Sequence, residues 1–340
     1  MWAAVYHTPG GPEVLAYEEV SAPKPGPGEV VLKVAACAVN RLDIWGRSGR
    51  YKTRLPHILG TDVAGVVTEV GPGVEGVDLG LRSVAYPVIS DGTCVYCLQG
   101  RPNLCLGRGF VGVVTEGGYA EYLKVPAANV VPAGSLDLKL AAAMPVDFGT
   151  AWGGLVSRAK VGPDDVVLVW GAAGGLGHAA VQIAKLIGAE VIAAVGDSSK
   201  AEFVRSLGAD HVVDYGSADI VQSVKSLTGG MGATVVFEHV GGDTWGKSID
   251  CLARGGRMVT LGLTSGPKSE VDVRRVYSDE LVITGAYGQS KPDVARVLQL
   301  AAEGKLVPRV HRELSLSSAG EAHQIVESRK VRGKVLLLPP

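Results

Sequence analysis

The chain has 340 residues, 46% of them hydrophobic and 20% charged, with 47 glycines; this is a globular composition, long enough for two domains, and it excludes a disordered or fibrous protein. A formal net charge of −1 and a pI near 6.7 exclude a global basic field of the kind that binds nucleic acid, and leave Arg47, Arg50, Lys52 and Arg54 as solvated or substrate-mouth charges. The start, "MWAAVYHTPGG", lacks the charged and apolar regions of a signal peptide. The richest apolar stretch, 166–195, is broken by Gly, Lys and Glu and does not read as a membrane span. Five cysteines, an odd number with three in one loop, argue against a disulfide framework and for a reducing, cytoplasmic setting. Asn occurs three times and Gln six, a scarcity compatible with a thermophilic source.

Up to about residue 145 short β-branched runs ("EVVLKVAACAV", "AGVVTEV", "RSVAYPV", "YAEYLKV") alternate with Pro/Gly turns, which predicts a small antiparallel barrel or folded sheet. Within this part "DGTCVYCLQGRPNLC" places Cys94, Cys97 and Cys105 at C-x2-C-x7-C spacing, with Asp91 three residues ahead of the first. From about residue 150 the rhythm changes. "DVVLVWG" reads as a buried strand and "LGHAAVQIAKLIG" as an apolar-faced helix ending at Gly188. Five further strands alternate with helices, and Gly-Ala opens the next strand after Gly188, Gly208 and Gly232, each glycine suiting a helix C-terminus. Six such strands predict a doubly wound parallel sheet. After about 287 the helix "DVARVLQLAAEG" and strand "GKVLLLP" return to the first domain.

Between the first strand of that sheet and its helix lies "WGAAGGLGHAA". Gly171, Gly174, Gly175 and Gly177 let backbone approach a pyrophosphate and leave helix N–H groups pointing at it. Leu176 and Gly262 complete the predicted dinucleotide contacts. The second strand ends "AAVGDSSK". Lys200 and the serines suit a 2′-phosphate, which favours NADP, while Asp197 keeps NAD open.

The motifs "CAVNRLDIWGRSG", "LGTDVAGVV", "GGYAEY", "GTAW", "GAAGGLGHAAVQIAK" and "GKVLLL", with the cysteine lobe, resemble the medium-chain dehydrogenase/reductase superfamily over essentially the whole chain. The resemblance implies an α/β fold: a Rossmann domain at 148–286 inserted into a barrel-like, GroES-like domain at 1–147 and 287–340, with a zinc lobe at about 88–108. In the zinc branch a catalytic Zn2+ takes Cys, His and Cys ligands. By resemblance the first falls at Cys37, the histidine is replaced by Thr61 followed by Asp62, and the second cysteine by Val146. That ligand set is read as lost; His57, at the wrong offset, reads as a loop histidine. The same segments are similar to the zinc-independent quinone oxidoreductase branch, which implies that Asn40, Trp45, Tyr51, Thr61 and Thr150 line the nicotinamide and substrate pocket and that Lys200 and Tyr215 hold the adenosine end.

The zinc branch's four-cysteine lobe aligns with Asp91, Cys94, Cys97 and Cys105, which predicts one structural Zn2+ per chain; a redox pair at Cys94/Cys97 and an empty lobe are the alternatives. Cys251 reads as a core thiol. The expected activity is hydride transfer to a ketone, quinone or conjugated carbonyl, with Asn40, Thr61 and Tyr51 as hydrogen-bond donors. Its alternatives are a zinc alcohol dehydrogenase with unusual ligands, an enoyl-CoA reductase meeting CoA through the basic cluster, or a non-catalytic NADPH-binding protein. The small-molecule substrate is the expected partner, with no nucleic acid or membrane, and the resemblance implies a homodimer or homotetramer.

Overall fold

The strand Glu29–Ala38 is apolar at almost every position because both of its faces are covered, and it organises the first part of the chain. The computed structural model describes residues 1–340, and the chain divides into two compact units, Met1–Gly149 with Gln289–Pro340, and Thr150–Gly288. In the first unit Glu29–Ala38 pairs antiparallel with Asp62–Val70, with Tyr122–Pro126 and with the last strand, Lys334–Leu338. Arg82–Ala85 and Val130–Pro132 extend the sheet beyond Asp62–Val70, and Val310–Ser315 closes its other side by pairing parallel with Lys334–Leu338. Register puts Cys37 opposite Val63 and Leu337, so its thiol joins the hydrophobic core with Val5, Leu32, Leu59, Tyr119 and Leu123. Burying each such side chain contributes roughly 1.5–3 kcal/mol.

The second unit is a six-stranded parallel sheet in the order His211–Asp214, Glu190–Val195, Val166–Val169, Ala233–Glu238, Leu252–Thr260, Val282–Gly285. This is the doubly wound arrangement, with the first strand central and a switch of direction beside it. The helix Gly175–Ile187 ends at Gly188 with φ 101°, a left-handed conformation that strains any residue with a Cβ. Gly208 repeats it at φ 103°, whereas Gly232, also left-handed at φ 98°, lies four residues past Thr228, the cap of the helix Ile220–Leu227, and leads into the strand Ala233–Glu238 instead of ending the helix. No helix is long and apolar enough to cross a membrane.

Candidate active site and metal centre

In the first unit the short helix Arg41–Arg47 begins at Asn40, and Asp43 turns back to accept the Asn40 N–H at 2.7 Å. The Asn40 amide is fully engaged. Nδ2 donates to Asp62 Oδ2 at 3.0 Å and to the Ala38 carbonyl at 3.3 Å, and Oδ1 accepts from Lys334 Nζ at 2.7 Å. Lys334, at the head of the last strand, also donates to Asp62 Oδ2 at 3.1 Å and lies 2.7 Å from Asp147 Oδ2. The Asp147 contact is a buried ion pair. Asp62 Oδ1 accepts the Val146 N–H at 2.8 Å. Burial opposes the Lys334 charge, but Asp147 and Asp62 outweigh it and hold the ammonium protonated above its ordinary range. Burial pushes the Asp62 carboxyl up, and Lys334 only partly reverses this.

A second hydrogen-bonded chain leads away from this cluster. Thr61 Oγ1 donates to Asp43 Oδ1 at 3.1 Å, and Tyr119 OH donates to Asp43 Oδ2 at 3.3 Å. Tyr119 OH lies 2.9 Å from His323 Nε2, and His323 Nδ1 lies 3.3 Å from Arg47 Nη1. A guanidinium only donates, so Nδ1 accepts and Nε2 carries the proton toward Tyr119. Arg47 Nη2 donates to Glu327 Oε1 at 2.6 Å. His323 is held down to about 3, first by burial and then by Arg47. Asp43 is pushed up to about 6, chiefly by burial, against the Asn40 N–H that favours its anion.

These contacts alter several readings made from the sequence. The proton of Thr61 is committed to Asp43, and both amide protons of Asn40 point into the fold, so neither side chain is an open donor in this structure. Cys37 is a core thiol, pushed well up by burial; its segment contributes Asn40, not Cys37, to the cluster around Lys334. Arg47 is buried and paired with Glu327, which leaves Arg50, Lys52 and Arg54 as the exposed part of the basic cluster. His57 sits in a strand, buried, 3.1 Å from the Gly112 carbonyl, and is not a loop residue. Trp45 and Tyr51 are half-buried neighbours with rings 6.1 Å apart, and the Arg50 guanidinium lies 4.7 Å above Trp45.

The second unit carries the dinucleotide turn. A Cβ on Gly177 would lie 2.2 Å from the Gly171 carbonyl, and Gly171 has φ 52°, so both positions require glycine. Gly174 caps the helix that starts at Gly175 and continues through Leu176, leaving its first N–H groups for an anion. A Cβ on Gly262 would lie 2.3 Å from the His239 carbonyl. His239 Nε2 is 2.7 Å from the Trp170 carbonyl, beside Gly171. At the end of the second strand Lys200 pairs with Asp197 at 3.2 Å, and Asp197 Oδ1 accepts the Ser199 N–H at 3.1 Å. Tyr215 packs obliquely on Trp170 with rings 5.2 Å apart and its hydroxyl beside Gly196. Thr150 is buried at the start of this unit.

The cysteine loop gathers Asp91, Cys94, Cys97 and Cys105 so that their ligand atoms all lie within 4.8 Å of one another. Asp91 divides its work: Oδ1 accepts the N–H groups of Thr93 and Cys94 at 2.8 Å each, and Oδ2 takes the Cys105 thiol at 3.1 Å. These contacts, the Cys94 N–H first, hold its carboxyl well below the usual range. Cys94 Sγ and Cys97 Sγ are 3.6 Å apart, and a tetrahedral ion with metal–sulfur bonds of about 2.3 Å needs ligand separations of roughly 3.8 Å. The donor set therefore fits a closed four-coordinate Zn2+ site with little adjustment.

Lys334, Asp43, Tyr119, His323 and His239 were not singled out as site residues by the sequence. Lys334 and Asp43 lie inside the motifs "GKVLLL" and "VNRLD", where a charged residue against an apolar strand or helix face was the available signal. Tyr119 lies inside the motif "GGYAEY", and His323 carried no signal.

Residues 26–135 match the family described as alcohol dehydrogenase GroES-like domain, and residues 175–303 match zinc-binding dehydrogenase. The chain is 33% identical to a quinone oxidoreductase of Salmonella typhimurium, covering 98% of each. It is 31% identical to an acryloyl-coenzyme A reductase of Sulfurisphaera tokodaii, covering 97% of this chain and 98% of that one. A crystal structure of an NAD-dependent alcohol dehydrogenase superposes with a TM-score of 0.95 at 42% identity, covering 99% of both chains. With a GroES-like domain, a Rossmann sheet in 3-2-1-4-5-6 order and relatives matched end to end, the chain belongs to the medium-chain dehydrogenase/reductase superfamily.

Proposed function

We propose that this oxidoreductase passes a hydride from NADP(H) to a ketone, quinone or conjugated carbonyl without a catalytic metal. The observation that carries the reading is the Lys334 ammonium, lodged between Asn40 Oδ1, Asp62 Oδ2 and Asp147 Oδ2. The three segments that bear the zinc branch's ligands contribute these groups, and their donor set is one amide and two carboxylates around an internal cation, not thiolate and imidazole around Zn2+. A reduced nicotinamide supplies the hydride when bound. Gly171, Gly174, Gly175, Leu176 and Gly177 would hold its pyrophosphate, and Thr150 and Gly262 would flank it. Lys200 and Tyr215 would hold the adenosine end, with Lys200 already neutralising Asp197 so that a 2′-phosphate meets little repulsion.

Among the sequence-derived donors, Tyr51 is the one we retain for the substrate oxygen, with Trp45 as a pocket wall. An enolate or semiquinone spreads its charge and suits neutral donors better than a localised alkoxide does. Exposed Arg50, Lys52 and Arg54, with Arg50 seated on Trp45, support a second reading in which the conjugated carbonyl is an acyl-CoA thioester. The structural zinc at Asp91, Cys94, Cys97 and Cys105 is proposed to staple the loop, and a dimer or tetramer is the assembly that the resemblance implies. The test is a turnover panel of quinones, enones, enoyl-CoA esters and simple primary alcohols with NADPH and NADH. Activated carbonyls with NADPH should lead. Preferred oxidation of primary alcohols would overturn the reading, and a clear NADH preference would overturn its cofactor half.

A further inference from the structure

Two aromatic rings of the second unit meet at the carboxyl end of its sheet, where a doubly wound fold takes its ligand. Trp170 follows the first strand, Val166–Val169, and Tyr215 follows the third, His211–Asp214. The second strand, Glu190–Val195, runs between them and pairs with both. The rings meet beside its end, with centroids 5.2 Å and planes 57° apart. Gly196, the first residue past that strand, makes the room: a Cβ there would lie 3.2 Å from the Tyr215 hydroxyl. The Tyr215 N–H donates to the Val195 carbonyl at 3.0 Å, which ties the tyrosine's backbone to the strand but does not aim its ring.

The two rings are unequal. Trp170 is 1% exposed and packed among Leu168, Ile192, Ala194 and Val213, whereas Tyr215 is 36% exposed. The indole is the floor, and the phenol is the face offered to solvent. Trp170 Nε1 is buried and makes no hydrogen bond, which disfavours the folded state. As core filler alone, a phenylalanine would leave no donor orphaned. What the indole supplies is breadth of ring beneath Tyr215.

We propose that Trp170 is a positioning residue for the adenosine end of the dinucleotide: its buried ring holds the Tyr215 ring in the orientation that an adenosine 2′-phosphate meets. The inference rests on the reading above in which Tyr215 and Lys200 hold that end, and it adds the residue that aims Tyr215. The same strand end carries Gly196, Asp197, Ser199 and Lys200, so ring and cation are presented by neighbouring segments of one unit. An adenosine laid against the exposed face of Tyr215 would find a side chain already ordered, and the entropy of fixing it would not be lost at binding.

The test titrates the protein calorimetrically with adenosine 2′,5′-bisphosphate, which carries this end of the cofactor and no nicotinamide. W170L should weaken its binding by about 3- to 10-fold, and W170F, which keeps a ring under Tyr215, should recover most of the loss. In a Y215A background W170L should add nothing further, because the effect runs through Tyr215; a general loosening of the sheet would persist there. A second readout is tryptophan fluorescence: the emission that W170F removes from the wild-type spectrum should change when the bisphosphate binds, and the response should vanish in Y215A. Wild-type affinity in W170L, an equal W170L loss in the Y215A background, or a Trp170 emission indifferent to the bisphosphate would overturn the proposal. If W170L does not fold, the emission decides alone. Unchanged affinity in both Y215A and K200A would instead overturn the adenosine reading on which the proposal rests.

Discussion

Asp43 accepts from the Asn40 N–H, the Thr61 hydroxyl and the Tyr119 hydroxyl, all from inside the fold. Its carboxyl is nevertheless raised, from 3.8 to about 6, because complete burial outweighs those bonds. A raised folded-state value means that its contribution is fully present below the ordinary carboxylate range and is lost as pH rises through about 6. At about 1.4 kcal/mol per unit, the shift corresponds to on the order of 3 kcal/mol. The stability of wild type relative to D43N, measured by denaturant unfolding, should therefore fall between about pH 4 and 6 and level off above. A difference that is flat across that window contradicts this account of Asp43. The residue was visible within "VNRLD", but its burial was not, since Tyr119 and Thr61 reach it from distant parts of the chain. Cys37 and Asn40, three residues apart, part company because the strand ends at Ala38 and the helix begins at Arg41.

At the scale of elements, spacing carried most of the information where the chain folds on itself locally. The cysteine loop closes over fifteen residues; its C-x2-C-x7-C spacing raised the question of a metal, the resemblance to the zinc branch's lobe brought Asp91 into the expected set, and the structure gathers all four side chains. The βα units announced themselves through apolar runs and through the Gly188, Gly208 and Gly232 breaks. The loop has little core of its own, since Val95, Leu98 and Leu106 are exposed, so a bound ion should contribute much of its order. C94S should therefore lose its zinc and unfold at a lower temperature, by on the order of 5 °C in calorimetry, while kcat near room temperature stays close to wild type because no candidate catalytic residue lies in the loop. An unchanged Tm would argue for the empty-lobe alternative. The Lys334 cluster was not legible for the opposite reason: Lys334 is 272 residues from Asp62 and 294 from Asn40, and only the return of the last strand beside Glu29–Ala38 brings them together.

For the whole molecule, the fold class followed from the change of rhythm near residue 150, and the cofactor half of the site from one glycine-rich turn. Cofactor choice is finer, because Asp197 and Lys200 argue in opposite directions and are paired in the structure. A charge-assisted contact contributes about 1.5–3 kcal/mol; K200A should raise the KM for NADPH by roughly 10- to 100-fold and leave that for NADH nearly unchanged. Equal effects on both would remove Lys200 from the 2′-phosphate role. The claim on which the rest depends is that an internal ammonium stands where the zinc branch places its catalytic metal. Metal stoichiometry of the active protein tests it most directly, by mass spectrometry of wild type and C94S alongside turnover. The account predicts about one zinc per chain in wild type, essentially none in C94S, and carbonyl reduction that survives in both. Two zinc ions per chain in wild type, or one retained in C94S whose removal abolishes turnover, would contradict it.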